Sequence, residues 1–181
     1  MHMFTHAEQY DRHAQRAGRK LYDRVVADAH AAGLPTDTRV LDVGTGPGRI
    51  PRALTAVEPA WTIDGLDLSP QMIEYARRQS PEADRVTFTV GDVAALPYPD
   101  DTFDLVVSSL SQHHWSNVDG GIRDLARVLR PGGRLWIYDV RWSLFRATRV
   151  AERCLTDVRR EPVRLTRWPI PLIARLHARA T

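Results

Sequence analysis

Three aspartates recur at equal spacing in the first half of the chain: Asp42, Asp67 and Asp92, each 25 residues after the one before. The first opens Asp42-Val43-Gly44-Thr45-Gly46-Pro47-Gly48. A strand running into such a turn and then into a helix needs glycine, because the backbone must bend sharply and lie against a ligand with no Cβ between them. Adenosine-bearing cofactors are the usual occupants, and the turn alone does not separate a dinucleotide pyrophosphate from other groups. A dinucleotide fingerprint would place its third glycine at position 49, whereas the chain has Arg49 and a third glycine one residue early. NAD is therefore the lesser reading. The carboxylates point the same way, since an acidic rim suits a ligand of net positive charge and suits pyrophosphate poorly. Any one aspartate could merely cap a helix or turn; three at successive strand ends argue for a shared ligand.

A second group able to do chemistry is Ser111-Gln112-His113-His114-Trp115. Histidine's ordinary pKa near 6.5 makes it the natural proton acceptor at neutral pH. Adjacent side chains on regular backbone face apart, so one of His113 and His114 is the candidate base and the other is structural. Hydrogen bonds that hold the loop are the alternative role for both. No third and fourth ligand stand at recognisable spacing, and Cys154 is the sole cysteine. The expectation is no metal site and no internal disulfide.

These residues need elements that bring them together. Short apolar runs alternate with helical patterns from about residue 38, the signal for successive βα units and a mostly parallel sheet. Five strands are expected: Arg39–Asp42, Thr62–Leu66, Val86–Val90, Phe103–Ser108 and Arg134–Tyr138. Helices should cover Ile50–Val57, Gln71–Arg78 after the Ser69-Pro70 cap, and Val118–Leu129, which stops before Pro131-Gly132-Gly133. Residues Ala7–Ala32 read as one or two amphipathic helices that would cap the open edge of the sheet. A helix from about Leu144 to Val158 should precede two strand-like runs, Val163–Trp168 and Leu172–Leu176, joined through Pro169 and Pro171 as an antiparallel hairpin. The fold class is an α/β three-layer sandwich with a doubly wound, mostly parallel sheet. In such a sheet the carboxyl ends of the first three strands open onto one crevice, which places all three aspartates around one ligand. The expected organisation is one domain over residues 1–181, with cap helices over 1–37, a cofactor-binding core over 38–140, and a helix with terminal hairpin over 141–181.

Five segments in order resemble the motifs of one family, the class I (Rossmann-like) SAM-dependent methyltransferases, in their small single-domain branch. Val40–Gly48 looks like the first motif, Gly65–Met72 like the second and Gly91–Pro97 like the third. Phe103–Ser108 and Leu129–Gly133 complete the set, and the match covers roughly residues 38–140. The resemblance implies that Asp42 and the turn through Gly44, Thr45, Gly46 and Gly48 hold the methionine part of S-adenosyl-L-methionine. It implies that Asp67 binds the ribose, that Asp92 and Val93 meet the adenine, and that Leu68 and Met72 sandwich it. Ser108 and Ser109 would lie by the ammonium through a backbone carbonyl, and Tyr10 over the carboxylate. Leu68, Met72 and Tyr10 could equally be core residues. Methyl transfer from sulfonium is a direct displacement that leaves S-adenosyl-L-homocysteine, and it asks chiefly for alignment and exclusion of water.

Composition bounds the partners. The 181 residues are 43% apolar, carry a formal charge of +3 and include one lysine, Lys20, among arginines. Arginines thicken from Arg141 to Arg179. That face is a solvated surface or a contact for nucleic acid or anionic lipid. Nucleic-acid methyltransferases that grip a flipped base often show an Asn or Asp, Pro, Pro, aromatic box after the fourth strand; Ser108-Ser109-Leu110-Ser111-Gln112 stands there instead. Aromatic residues do not interleave with the basic tail as stacking platforms would. A small-molecule acceptor is favoured, for example a secondary metabolite, methylated on O, N or C. RNA-directed methylation and cofactor binding without catalysis are the alternatives. The short stretch Val140–Glu161 leaves the acceptor pocket either open or completed by a second subunit, as in a homodimer. With no long apolar run, membrane insertion is not expected, and the expected location is cytoplasmic.

Overall fold

A computed structural model describes residues 5–80, 84–165 and 171–181, with side chains from residue 18 onward. The elements run α1 (Thr5–His30), β1 (Arg39–Val43), α2 (Arg49–Val57), β2 (Thr62–Asp67), α3 (Pro70–Arg78), β3 (Val86–Val90) and β4 (Phe103–Ser109). A 3₁₀ turn (Gln112–His114) follows, then α4 (Val118–Val128), β5 (Leu129–Val140), α5 (Leu144–Cys154), β6 (Thr156–Val163) and β7 (Ile173–Arg179). They build a seven-stranded sheet of order β3-β2-β1-β4-β5-β7-β6. The first five strands are parallel, and β7 runs antiparallel between β5 and β6. This is the expected α/β sandwich.

Side-chain alternation along the strands divides the core. On one face Val40, Leu105, Val107, Trp136 and Tyr138 pack under α1 and α2, through Leu21, Val25, Ala29, Ile50 and Leu54. On the other, Leu41, Val43, Val106, Leu135 and Ile137 meet Ile122 and Leu125 of α4 and Ala147 and Ala151 of α5. Both faces are covered, as a parallel sheet requires.

Local chemistry sets the helix starts. Ser69 caps α3 by accepting a hydrogen bond from the Met72 amide at 3.4 Å, with Pro70 in the first turn. Asn117 caps α4 through the Gly120 amide at 2.9 Å.

Three expectations need correction. Helix α1 is one helix, and it lies across a sheet face instead of capping an edge. Its apolar stripe outweighs any edge contact, and Tyr138 of β5 donates to Asp28 at 2.8 Å, tying the two together. Helix α5 stops at Cys154, and the first hairpin strand starts at Thr156, well before the expected Val163. Edge strand β6 carries Asp157, Arg159, Arg160 and Glu161, so it shows no apolar alternation, a charged pattern that discourages pairing with another chain. The expected strand end and turn at 166–170 lie outside the described residues. Strand β5 also begins at Leu129, passing through the Pro131-Gly132-Gly133 bend with a register shift against β4.

Candidate active site

The strand order reverses between β1 and β4, and ligands of doubly wound sheets bind beyond the carboxyl ends at that switch point. A cavity of about 330 Å³ opens there.

Asp42, the penultimate residue of β1, is 2% exposed. Its Oδ2 accepts the Thr45 hydroxyl at 2.7 Å, while Oδ1 has no partner among the described residues. Burial pushes this carboxyl up to about 7; the Thr45 hydrogen bond opposes the shift and the nearby Asp67 charge adds to it. Asp67, at the end of β2, accepts the Gly46 amide at 2.8 Å on one oxygen and the Ser69 amide at 2.9 Å on the other. One carboxylate thus fastens the turn after β1 to the turn after β2. The Gly44 and Thr45 amides add bonds to Leu66 O at 2.8 and 3.0 Å.

Glycine matters most at Gly44 and Gly48. At Gly44, φ is +70° and a Cβ would sit 1.9 Å from Ser111 Oγ, so the turn closes on the loop after β4. At Gly48, φ is +73° and a Cβ would sit 2.7 Å from the Phe88 ring, so this glycine allows α2 to lie close on the sheet.

Asp92 is exposed, accepts the Ala94 amide at 2.9 Å and faces the cavity beside buried Val93. Leu68 stands 70% exposed at the rim and Met72 is half-buried. An exposed leucine beside a cavity is apolar surface available to a flat ring.

At the end of β4, the hydroxyls of Ser108 and Ser109 are buried without partners among the described residues. Leu110 then takes φ +51°, a left-handed turn unusual for leucine, and its amide bonds Tyr138 O at 2.8 Å. The 3₁₀ turn keeps the two histidine rings in contact, so they do not face fully apart as regular backbone would have them, yet it gives them different surroundings. His114 lines the cavity. His113 turns to β5, where its Nδ1 lies 2.8 Å from Asp139 Oδ1 and its amide 3.1 Å from Asp139 Oδ2. The two imidazole centroids are 4.0 Å apart. Trp115 donates from Nε1 to Ser111 Oγ at 3.1 Å and completes this wall.

Asp42, Gly44, Thr45, Gly46, Asp67, Leu68, Met72, Asp92, Val93, Ser109 and His114 all line the cavity; Gly48, Ser108 and His113 do not. The side chain of Tyr10 lies outside the described residues. Tyr22, one of the apolar stripe of α1, lines the cavity. A tyrosine on a core-facing helix stripe gives no signal of its own for this role. Asp139 was not singled out in the sequence, although it stands at a strand end as Asp42 and Asp67 do.

A family model described as a methyltransferase domain matches residues 41–137, more than half of the chain. The chain belongs to this family. It comprises class I SAM-dependent methyltransferases, and the seven-stranded sheet with antiparallel β7 has their architecture. Among curated relatives, methyltransferase GfsG of Streptomyces halstedii is 39% identical over 130 residues, covering 70% of this chain and 44% of GfsG. A malonyl-[acyl-carrier protein] O-methyltransferase of Methylococcus capsulatus is 36% identical over 116 residues, covering 62% of this chain and 42% of its own. The chain therefore spans less than half the length of these relatives. A TehB-like SAM-dependent methyltransferase from Corynebacterium glutamicum shares the fold with a TM-score of 0.77 at 22% identity, covering 97% of this chain and 98% of that one.

The cavity fits the family's cofactor. Asp42 Oδ1 is an orphaned buried acceptor suited to a cation, and the space beside Gly46 is open, with nothing within 4 Å of where a Cβ would stand. Each Asp67 oxygen keeps a lone pair for a hydroxyl after its one amide bond. Among the described residues no group of His, Cys, Asp and Glu could hold a metal, and no helix is long and apolar enough to cross a membrane.

Proposed function

We propose that the chain is a methyltransferase that moves a methyl group from SAM to an O, N or C nucleophile of a small molecule. The observation that carries this reading is the pairing of an orphaned, buried Asp42 oxygen with a histidine-bearing wall around one cavity. When bound, SAM supplies an electrophilic methyl on a sulfonium. The chain's own residues do the rest. Asp42 and the Gly44–Gly46 turn hold the methionine portion, with the β4 end at Ser108 and Ser109 beside the ammonium. Asp67 accepts the ribose hydroxyls, Asp92 and Val93 meet the adenine edge, and Leu68 and Met72 cover its faces. Trp115 and Leu110 exclude water from the side where the acceptor approaches.

His114 is the residue proposed to accept the acceptor's proton, because it faces the cavity while His113 does not. A cavity of about 330 Å³ is at the low end for one drug-sized ligand, so it accommodates the cofactor and leaves the acceptor at the rim. A small acceptor is favoured by the absence of a base-gripping box after β4, where Ser108-Ser109-Leu110-Ser111-Gln112 stands instead.

Calorimetric titration with SAM and with NADP tests the cofactor: SAM should bind and NADP should not. Asp67→Ala should weaken SAM binding by about 1–3 kcal/mol, the range for charge-assisted hydrogen bonds. Unchanged affinity in that variant would remove the ribose assignment.

A further inference from the structure

Behind the cavity wall lies a buried carboxylate that the proposed methyl transfer does not itself use. Asp139, the penultimate residue of β5, has no exposed surface and does not line the cavity. Its oxygens accept two amide hydrogens, from Val140 at 2.7 Å and from His113 at 3.1 Å, and Oδ1 lies 2.8 Å from His113 Nδ1. Holding the loop would need only the amide bond, and an asparagine could supply that without burying a charge. The carboxylate does something an amide could not do as selectively. It offers lone pairs alone, so the Nδ1 facing it must carry the hydrogen, and Nε2 of His113 is left as the acceptor nitrogen.

We infer that Asp139 is a positioning residue that fixes His113 in the Nδ1–H tautomer, and through the tilted contact between the two rings sets the orientation of His114 at the cavity. The route is short and continuous. Asp139 grips His113 at both backbone and ring, the His113 ring lies 4.0 Å from that of His114 at an interplanar angle of 46°, and His114 faces the cavity. The neighbouring Leu110 amide bond to Tyr138 O anchors the same loop to β5 one residue before Asp139. A base oriented by a second group that is itself held by a buried carboxylate loses little freedom on reaching the transition state. The role in catalysis rests on the reading of His114 given above; the tautomer does not.

The test uses the whole chain labelled with ¹⁵N-histidine and without added ligand, in alkaline buffer where imidazoles are neutral. Two-bond ¹H–¹⁵N spectra should show His113 as a single Nδ1–H tautomer. Asp139→Asn keeps an acceptor for the His113 amide but can also donate to the ring, so the tautomer should become mixed or reverse, and the His114 resonances should shift with it. A wild-type His113 in the Nε2–H form, or a tautomer unchanged by Asp139→Asn, overturns the inference. If the variant does not fold, the wild-type tautomer alone decides. SAM titration of the same samples keeps the two readings apart: Asp139 does not line the cavity, so wild type and Asp139→Asn should bind SAM with the same affinity. Lack of SAM binding by the wild type would end the methyltransferase proposal and leave the tautomer result standing.

Discussion

Asp42 is the residue at which fold and function pull in opposite directions. Its folded pKa, near 7, is well above the 3.8 of an unfolded carboxyl, so the folded chain binds the proton more tightly. For an acid shifted upward, the destabilisation is absent below about pH 4, grows as pH rises towards 7, and is complete above it. Asp42→Asn keeps an acceptor for Thr45 and removes the ionisable group. It should stabilise the unliganded chain by on the order of a few kcal/mol at about pH 8 and by little at about pH 4, read from urea unfolding. Equal gains at both pH values would show that desolvation is not the cause. The same shift bears on binding: a cationic cofactor favours the ionised carboxylate, so SAM affinity in calorimetry should rise as pH passes upward through about 7. Wild-type SAM affinity in Asp42→Asn would show that the carboxylate's charge is not used. That Asp42, Asp67 and Asp92 meet at one cavity is legible from their spacing, because each stands at or beside a strand end. Burial is not, since a strand-end aspartate in the sequence carries no sign of how far water reaches it. Nor could the sequence tell the two histidines apart, because the choice depends on Asp139, which becomes their neighbour only when β4 and β5 pair.

At the level of elements, the expected and observed bounds of β1 to β4 agree within one residue at either end, because each is a short apolar and β-branched run that stops at a turn. Central β1 and β4 are buried along nearly their whole length, whereas β3 alternates, with Phe88 buried between Thr87 and Thr89. Edge strand β6 escaped because its charges leave no period. The turn Gly44–Gly48 shows how one loop serves two elements. Gly44 lets the turn meet Ser111, while Gly48 brings α2 onto Phe88 and does not line the cavity. Gly48→Ala must place a Cβ against that ring and strain a left-handed backbone. The expected loss is about 1–3 kcal/mol in denaturant unfolding, with SAM affinity reduced far less than stability. A variant as stable as wild type would mean that α2 shifts freely, and the third glycine would then have no packing role. The hairpin carries its own pH dependence. Buried His177 accepts from Trp136 Nε1 at 2.9 Å on Nδ1 and faces Asp157 at 3.1 Å through Nε2. Desolvation and the Arg159 charge lower its pKa. A histidine shifted downward is stable as the neutral ring, so stability should hold at neutral pH and fall as pH drops below about 6.5, where the unfolded chain takes the proton. His177→Gln should flatten this dependence in thermal unfolding between about pH 5 and 7.5.

At the scale of the whole molecule, the cavity is where separate parts of the chain meet. Its walls come from α1 through Tyr22, from the turns after β1, β2 and β3, and from the loop after β4. Among the described residues, strands β6 and β7 contribute none of the lining. Among the described residues, helix α1 reaches the sheet through one apolar stripe and through Asp28, which accepts from Tyr138 at 2.8 Å and from Arg175 of β7 at 3.1 Å; just beyond the helix, Arg134 donates to the Ala32 carbonyl at 2.9 Å. A ligand that touches all these walls adds contacts between parts that otherwise depend on a few residues each. Binding to the folded state alone stabilises by RT ln(1 + [L]/Kd), about 2.7 kcal/mol at a hundredfold excess over Kd. Where opening is local, that protection appears only in segments whose opening breaks ligand contacts. With saturating S-adenosyl-L-homocysteine, amide exchange should slow at residues 44–48, 67–72 and 111–116 and in α1 around Tyr22. The amides of β6 and β7 should change only as far as they exchange by global unfolding. Uniform protection across every segment would mean that the chain opens as one unit. Protection confined to the glycine turn would remove α1 and the histidine loop from the binding site, and the proposed proton acceptor with them.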